Sequence, residues 1–148
     1  MKTACIGLLV LLVCSSSILA ASPAVIRVGS AGVALLGASA GVAASIWAIA
    51  EVAPQIDSTL GKTAFVIGSL TVVDGLGAAM GVLAAARIWD REGHAGRSLL
   101  GGMAGGFLSA LTEPILMTLG MPEGWTEFFG MVLLPVLPAV GALLGFAG

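Results

Sequence analysis

Apolar positions in this chain fall in long unbroken blocks, not in the spaced pattern of a half-buried surface element. Beyond an N-terminal stretch, the blocks run over about 28–50, 63–86, 98–119 and 127–146. Each holds about 20–24 residues, and at about 1.5 Å per residue that length crosses the roughly 30 Å hydrocarbon core of a bilayer. Backbone groups in lipid must be satisfied within the segment, so the blocks are predicted to be helices. The expected fold class is therefore an all-α integral membrane protein, a bundle of four transmembrane helices forming one membrane domain over 22–148.

The polar positions support the same division. Pro54, Asp57, Pro122 and Glu123 lie between blocks, as does the charged stretch from Arg87 to Arg97. Trp47, Trp89 and Trp125 each stand within a few residues of a predicted boundary. Tryptophan favours that interfacial depth, so the three are expected to anchor the helices there.

Residues 1–21 have a different pattern. Lys2 precedes an apolar stretch from Ala4 to Val13, then Ser15, Ser16 and Ser17, and the small residues Ala20 and Ala21. A basic start, a short apolar core and small residues at the end match a secretory signal peptide. The competing reading is an uncleaved fifth, N-terminal helix. Both cysteines, Cys5 and Cys14, fall in this stretch, so a cleaved chain would hold no disulfide or thiolate metal site. The location that follows is integral to the plasma or inner membrane, or another membrane reached by the secretory route.

Composition narrows the class further. Hydrophobic residues make up 58% of the 148 and charged residues 9%, against about 25% charge in soluble domains. Mean hydropathy is +1.10 and the pI is near 5.1. With a net charge of -2, the chain offers no electrostatic case for binding nucleic acid.

The 22 glycines are dispersed among Ala, Val and Leu, and every block carries a pair spaced i, i+4. These are Gly37 with Gly41, Gly77 with Gly81, Gly101 with Gly105, Gly102 with Gly106, and Gly141 with Gly145. Residues four apart share a helix face, and two missing side chains there let a neighbouring backbone approach closely. The chain resembles glycine-zipper membrane proteins in composition and in these pairs only. Its expected partners are the lipid bilayer, further copies of itself as a homo-oligomer, or other membrane subunits. Its loops of about six to twelve residues carry no domain of their own and leave little surface for a soluble partner.

Two acidic residues interrupt the blocks. Asp74, Gly77 and Gly81 fall at i, i+3 and i+7, while Gly102, Gly106, Ser109 and Glu113 fall at i, i+4, i+7 and i+11. A carboxylate in lipid is costly unless protonated or partnered, so such positions are functional candidates. From the shared loop the two acids lie on the order of 20–24 Å along their helices, and a hairpin is expected to hold them at similar depth. Carboxylates that met there could not both be ionised cheaply, and a proton would be shared, as in a proton or cation relay with Ser109 beside it. Pro114 directly follows Glu113, removes one backbone donor and frees a carbonyl near Ala110, marking a kink. The structural alternative is that both acids are neutral and hydrogen-bonded to Ser69, Thr71, Ser109, Thr112 or backbone as interhelical glue.

Enzyme chemistry finds little support. Asp74-Gly75 with Ala78 is similar to the opening of the aspartate-rich motif of CDP-alcohol phosphotransferases, but Ala79 fills the arginine place and the further aspartates are missing. Asp90, Glu92 and His94 have metal-ligand chemistry but share a turn with Gly93 and Gly96, which reads as solvated. No hydrolase, zinc-protease or phosphate-loop motif is present, so no enzyme, cofactor or metal is predicted. Two functions remain. The first is a structural or assembly subunit of a membrane complex, and the second is a proton- or cation-conducting unit using Asp74 and Glu113.

Sidedness is left open by two opposed rules. Arg87, Arg91 and Arg97 share a side with Arg27, and the positive-inside rule places that side in the cytoplasm. A cleaved leader would leave the same side outside.

Overall fold

The computed structural model describes residues 23–147, all of whose regular elements are helical. The leader reading of residues 1–21, with Cys5 and Cys14, lies outside the described residues. Four helical spans, Ile26–Gln55, Thr59–Ile88, Ala95–Thr118 and Glu123–Ala147, are long and apolar enough to cross a membrane. At most ends they run a few residues past the apolar blocks, because the polar flanks continue the helix until a turn residue stops it.

Helix α1 covers Pro23–Val52 and passes into a tight turn at Ala53–Gln55, where Pro54 stands at the start. Ser58 then caps α2, Thr59–Ser69, its hydroxyl accepting from the Gly61 amide at 3.0 Å, the usual way to satisfy an orphan donor at a helix start. One wide π turn, Leu70–Asp74, links α2 to α3, Gly75–Ile88, without breaking the span. Helices α4, Ala95–Thr118, and α5, Glu123–Ala147, complete the bundle. Pro114 lies inside α4, and Pro135 and Pro138 inside α5, yet both helices continue through them.

Two helices end in the same six-residue lock. After α4, the Met121 amide donates to the Leu116 carbonyl at 3.1 Å and Gly120 donates to Met117 at 3.0 Å, with Gly120 at φ 76°. After α3, the Arg91 amide donates to the Ala86 carbonyl at 2.8 Å, and the left-handed position is Asp90 at φ 47°. Glycine occupies that conformation freely, whereas a residue with a β-carbon is strained in it.

The core is made of small residues. Ala34, Ala38, Ala78, Val82, Ala86, Ala139, Ala142 and Phe146 pack together, while Leu36, Met80, Leu100, Leu144 and many other large side chains face outward. In water this arrangement would expose extensive apolar surface; in lipid it is favourable, since small residues allow close backbone contact and large ones meet acyl chains. The α4–α5 pair makes the most extensive contact, followed by α1 with α3. In contrast, α2 contributes no buried residue.

Alternation of direction puts all four arginines at one end of the bundle. Contacts tie that end together: the Trp89 ring lies over Gly29, and the His94 amide donates to the Phe146 carbonyl at 3.3 Å. Glu51, Asp57, Lys62, Glu123 and Glu127 belong to the opposite end, where α2 packs loosely.

Candidate functional site

Asp74 closes the π turn and is fully buried. Glycines bring helices against this turn from two sides. On α1, a β-carbon at Gly41 would lie 2.8 Å from the Asp74 Cα and 2.8 Å from the Val73 carbonyl oxygen. On α4, a β-carbon at Gly106 would lie 2.9 Å from the carbonyl oxygens of both Leu70 and Thr71, and one at Gly102 would lie 2.6 Å from that of Gly75.

That approach places Ser45, one turn beyond Gly41, beside the carboxyl. Ser45 Oγ is 2.5 Å from Asp74 Oδ1 and 3.2 Å from the Ser69 carbonyl oxygen. Ser45 is itself fully buried. Its single proton faces two acceptors. Asp74 Oδ2 is buried with no hydrogen-bond partner among the described residues, as is Thr71 Oγ1 on the same turn. Such orphaned atoms are rare in folded proteins, because each costs the desolvation of a polar group.

Glu113 is elsewhere. Since Gly75 abuts Gly102 and Met103, Glu113 lies ten residues beyond the level of Asp74, or about 15 Å along α4. The two acids thus do not share a depth and do not form a carboxylate pair. Equal residue counts from the loop do not give equal depth here, because α3 and α4 are staggered. The buried stripe of α4 runs through Ser98, Gly102, Gly105, Ser109 and Thr112, and Glu113, about 100° round from Thr112, is exposed.

Glu113 lines a groove of about 260 Å³ between α4 and α5, with Ser109, Ala110, Glu127, Gly130, Met131 and Leu134. Ser109 is buried there and donates to the Gly106 carbonyl at 2.7 Å, so its proton is engaged. Pro114 faces a separate open depression with Ile115, Thr118 and Leu119.

The other candidates fall as follows. Gly37 meets Gly77 and Gly81 across α1–α3, Gly81 lies against Val33 and Ala34, Gly101 meets Gly141, Gly105 meets Leu137 and Pro138, and Gly145 meets Arg97. Trp47 and Trp125 are exposed, and Trp125 stacks on Phe129 with centroids 5.9 Å apart. Trp89 is partly covered, with its Nε1 buried and unpartnered among the described residues. Asp90, Glu92 and His94 do not come together as a ligand cluster, and no group of three or more His, Cys, Asp and Glu side chains does so among the described residues.

Ser45, the π turn and the part played by Glu127 were not singled out from the sequence. Ala34, Ala38, Gly41 and Ser45 recur at i, i+4, i+7 and i+11, a small-residue stripe that carries the signal for Ser45. Comparison with protein-family models, curated proteins and solved structures finds no match.

Proposed function

We propose that this chain is a small four-helix membrane protein that conducts or carries a proton or cation, with Asp74 as the group that binds it. One observation carries the reading: a carboxyl near the middle of a 30-residue apolar span is fully buried, held by one serine and left with an unpartnered oxygen. Acidic groups at such depth mark ion and proton paths, and π turns are frequent at functional sites.

Glycine-mediated packing is the second element of the proposal. The i, i+4 glycines of all four spans lie against helices of the same chain, so their role is to close this bundle. The alternative, a structural or assembly subunit of a membrane complex, draws support from Gly32, Gly68 and Gly130, which face open space and would admit a neighbouring helix or another copy.

Proton and cation flux into liposomes containing the purified chain tests the choice. Flux is expected in the wild type, abolished in Asp74→Asn and retained in Glu113→Gln. Absence of flux from well-folded wild-type protein would sink the transport reading and leave assembly. Flux that survives Asp74→Asn would remove Asp74 from the path.

A further inference from the structure

Resting on the transport reading of Asp74, the arrangement around it also bears on the identity of the ion. Ser45 Oγ, Asp74 Oδ1 and the Ser69 carbonyl oxygen are linked by separations of 2.5 and 3.2 Å, and Asp74 Oδ2 is buried beside them without a partner. The Ser69 carbonyl can only accept, and the serine has one proton. This cluster is therefore rich in lone pairs and short of positive charge.

A proton on Asp74 does not complete it. Placed on Oδ1, the proton can be donated to Ser45, which frees the serine proton for Ser69, but Oδ2 stays an orphaned acceptor. Placed on Oδ2, it becomes an orphaned donor. A cation set against the carboxylate contacts both oxygens at once and takes the serine and carbonyl oxygens as further ligands.

We propose that Asp74, the Ser45 hydroxyl and the Ser69 carbonyl bind a dehydrated monovalent alkali cation of sodium size. Charge selects the valence. The basic residues of the described chain, Arg27, Lys62, Arg87, Arg91, Arg97 and the titratable His94, stand at its two ends, so the carboxylate is the one formal charge at that depth. A monovalent ion makes the site neutral, whereas a divalent ion would leave a net positive charge in a low-dielectric interior. Oxygen donors alone select hard ions over transition metals, and magnesium gives up its waters reluctantly. Gly41 lets the α1 backbone press on Asp74, which favours a small ion.

Binding of radioactive sodium to the full chain in nanodiscs is the test, with thermal unfolding in sodium, potassium, magnesium and choline chlorides alongside. Saturable binding near one ion per chain is expected, with a rise in unfolding temperature in sodium that choline and magnesium do not give. Asp74→Asn should abolish binding, Ser45→Ala should weaken it at least tenfold, and Glu113→Gln should leave it unchanged. Monodisperse elution and an unchanged helical spectrum would show that each variant is folded. No saturable sodium binding by folded wild type, or binding that persists in Asp74→Asn, overturns the proposal. Proton flux that needs Asp74 without sodium binding overturns this inference while leaving the transport reading intact; absence of both flux and binding overturns both.

Discussion

Gly37 and Gly77 face each other reciprocally across α1 and α3: a β-carbon on either one would collide with the carbonyl oxygen of the other. Gly101 and Gly141 repeat the relation across α4 and α5. Backbone atoms cannot swing aside as a flexible side chain does, so even a methyl group must push the helices apart. Gly37→Ala and Gly101→Ala are each expected to lose about 1–3 kcal/mol, the usual range for overpacking. Gly68→Ala, with open space at its position, should be neutral or slightly stabilising. Reversible unfolding in mixed micelles would measure all three, and equal tolerance at Gly37 and Gly68 would refute the close approach.

Ser45 and Asp74 make a different kind of contact, one that holds two helices by a buried polar link. Hydrogen bonds between membrane helices are worth about 0.6–2 kcal/mol. Ser45→Ala should cost about that much, and in Asp74→Leu the same serine substitution should cost less, since only the bond to the Ser69 carbonyl is then lost. A double-mutant cycle isolates the term; additive losses would mean that the two side chains do not interact.

How far the sequence disclosed this arrangement follows from what each signal depends on. Span existence was legible because length and apolarity act locally, and 148 residues with 9% charge leave few other ways to fold. Asp74 was legible as a candidate because an acid in lipid is anomalous whatever surrounds it. Ser45 was not, since a serine on a small-residue stripe looks the same whether it faces a carboxyl or an alanine. The separation of Glu113 from Asp74 was hidden for a related reason. Helix stagger is set by which glycines interlock, here Gly75 with Gly102, and residue counts from a loop do not contain that register. The π turn likewise reflects tertiary packing from both sides, not any propensity of Leu70–Asp74.

Asp90 adopts φ 47° at the end of α3, where Gly120 serves the same purpose after α4. A left-handed conformation costs an ordinary L-residue about 1–2 kcal/mol, less for aspartate, and costs glycine little. Asp90→Gly is expected to raise stability by up to about 1 kcal/mol, and Asp90→Val to lower it by about 1–2 kcal/mol. Thermal unfolding in one detergent would rank the three. A stabilised valine variant would show that residue 90 is not left-handed in the folded protein.

Charge at the two ends predicts how the bundle lies in its membrane. Arg27, Arg87, Arg91 and Arg97 belong to one end and Lys62 to the other. Lysine and arginine in short loops are retained on the cytoplasmic side, while acidic residues count for little. The arginine end is therefore expected to face the cytoplasm, with Asp57 and Glu123 outside. With Cys5 and Cys14 replaced by serine, single cysteines at Glu92 and at Asp57 would be challenged in intact cells with a membrane-impermeant maleimide. Asp57→Cys should react and Glu92→Cys should not until the membrane is opened. This orientation also bears on residues 1–21. Helix α1 begins at the arginine end, so a cytoplasmic arginine end is incompatible with removal of a leader on the far side, and residues ahead of Ser22 would then be retained in the purified protein. Labelling of Glu92→Cys in intact cells, together with a chain starting near Ser22, would reverse the orientation and establish the leader.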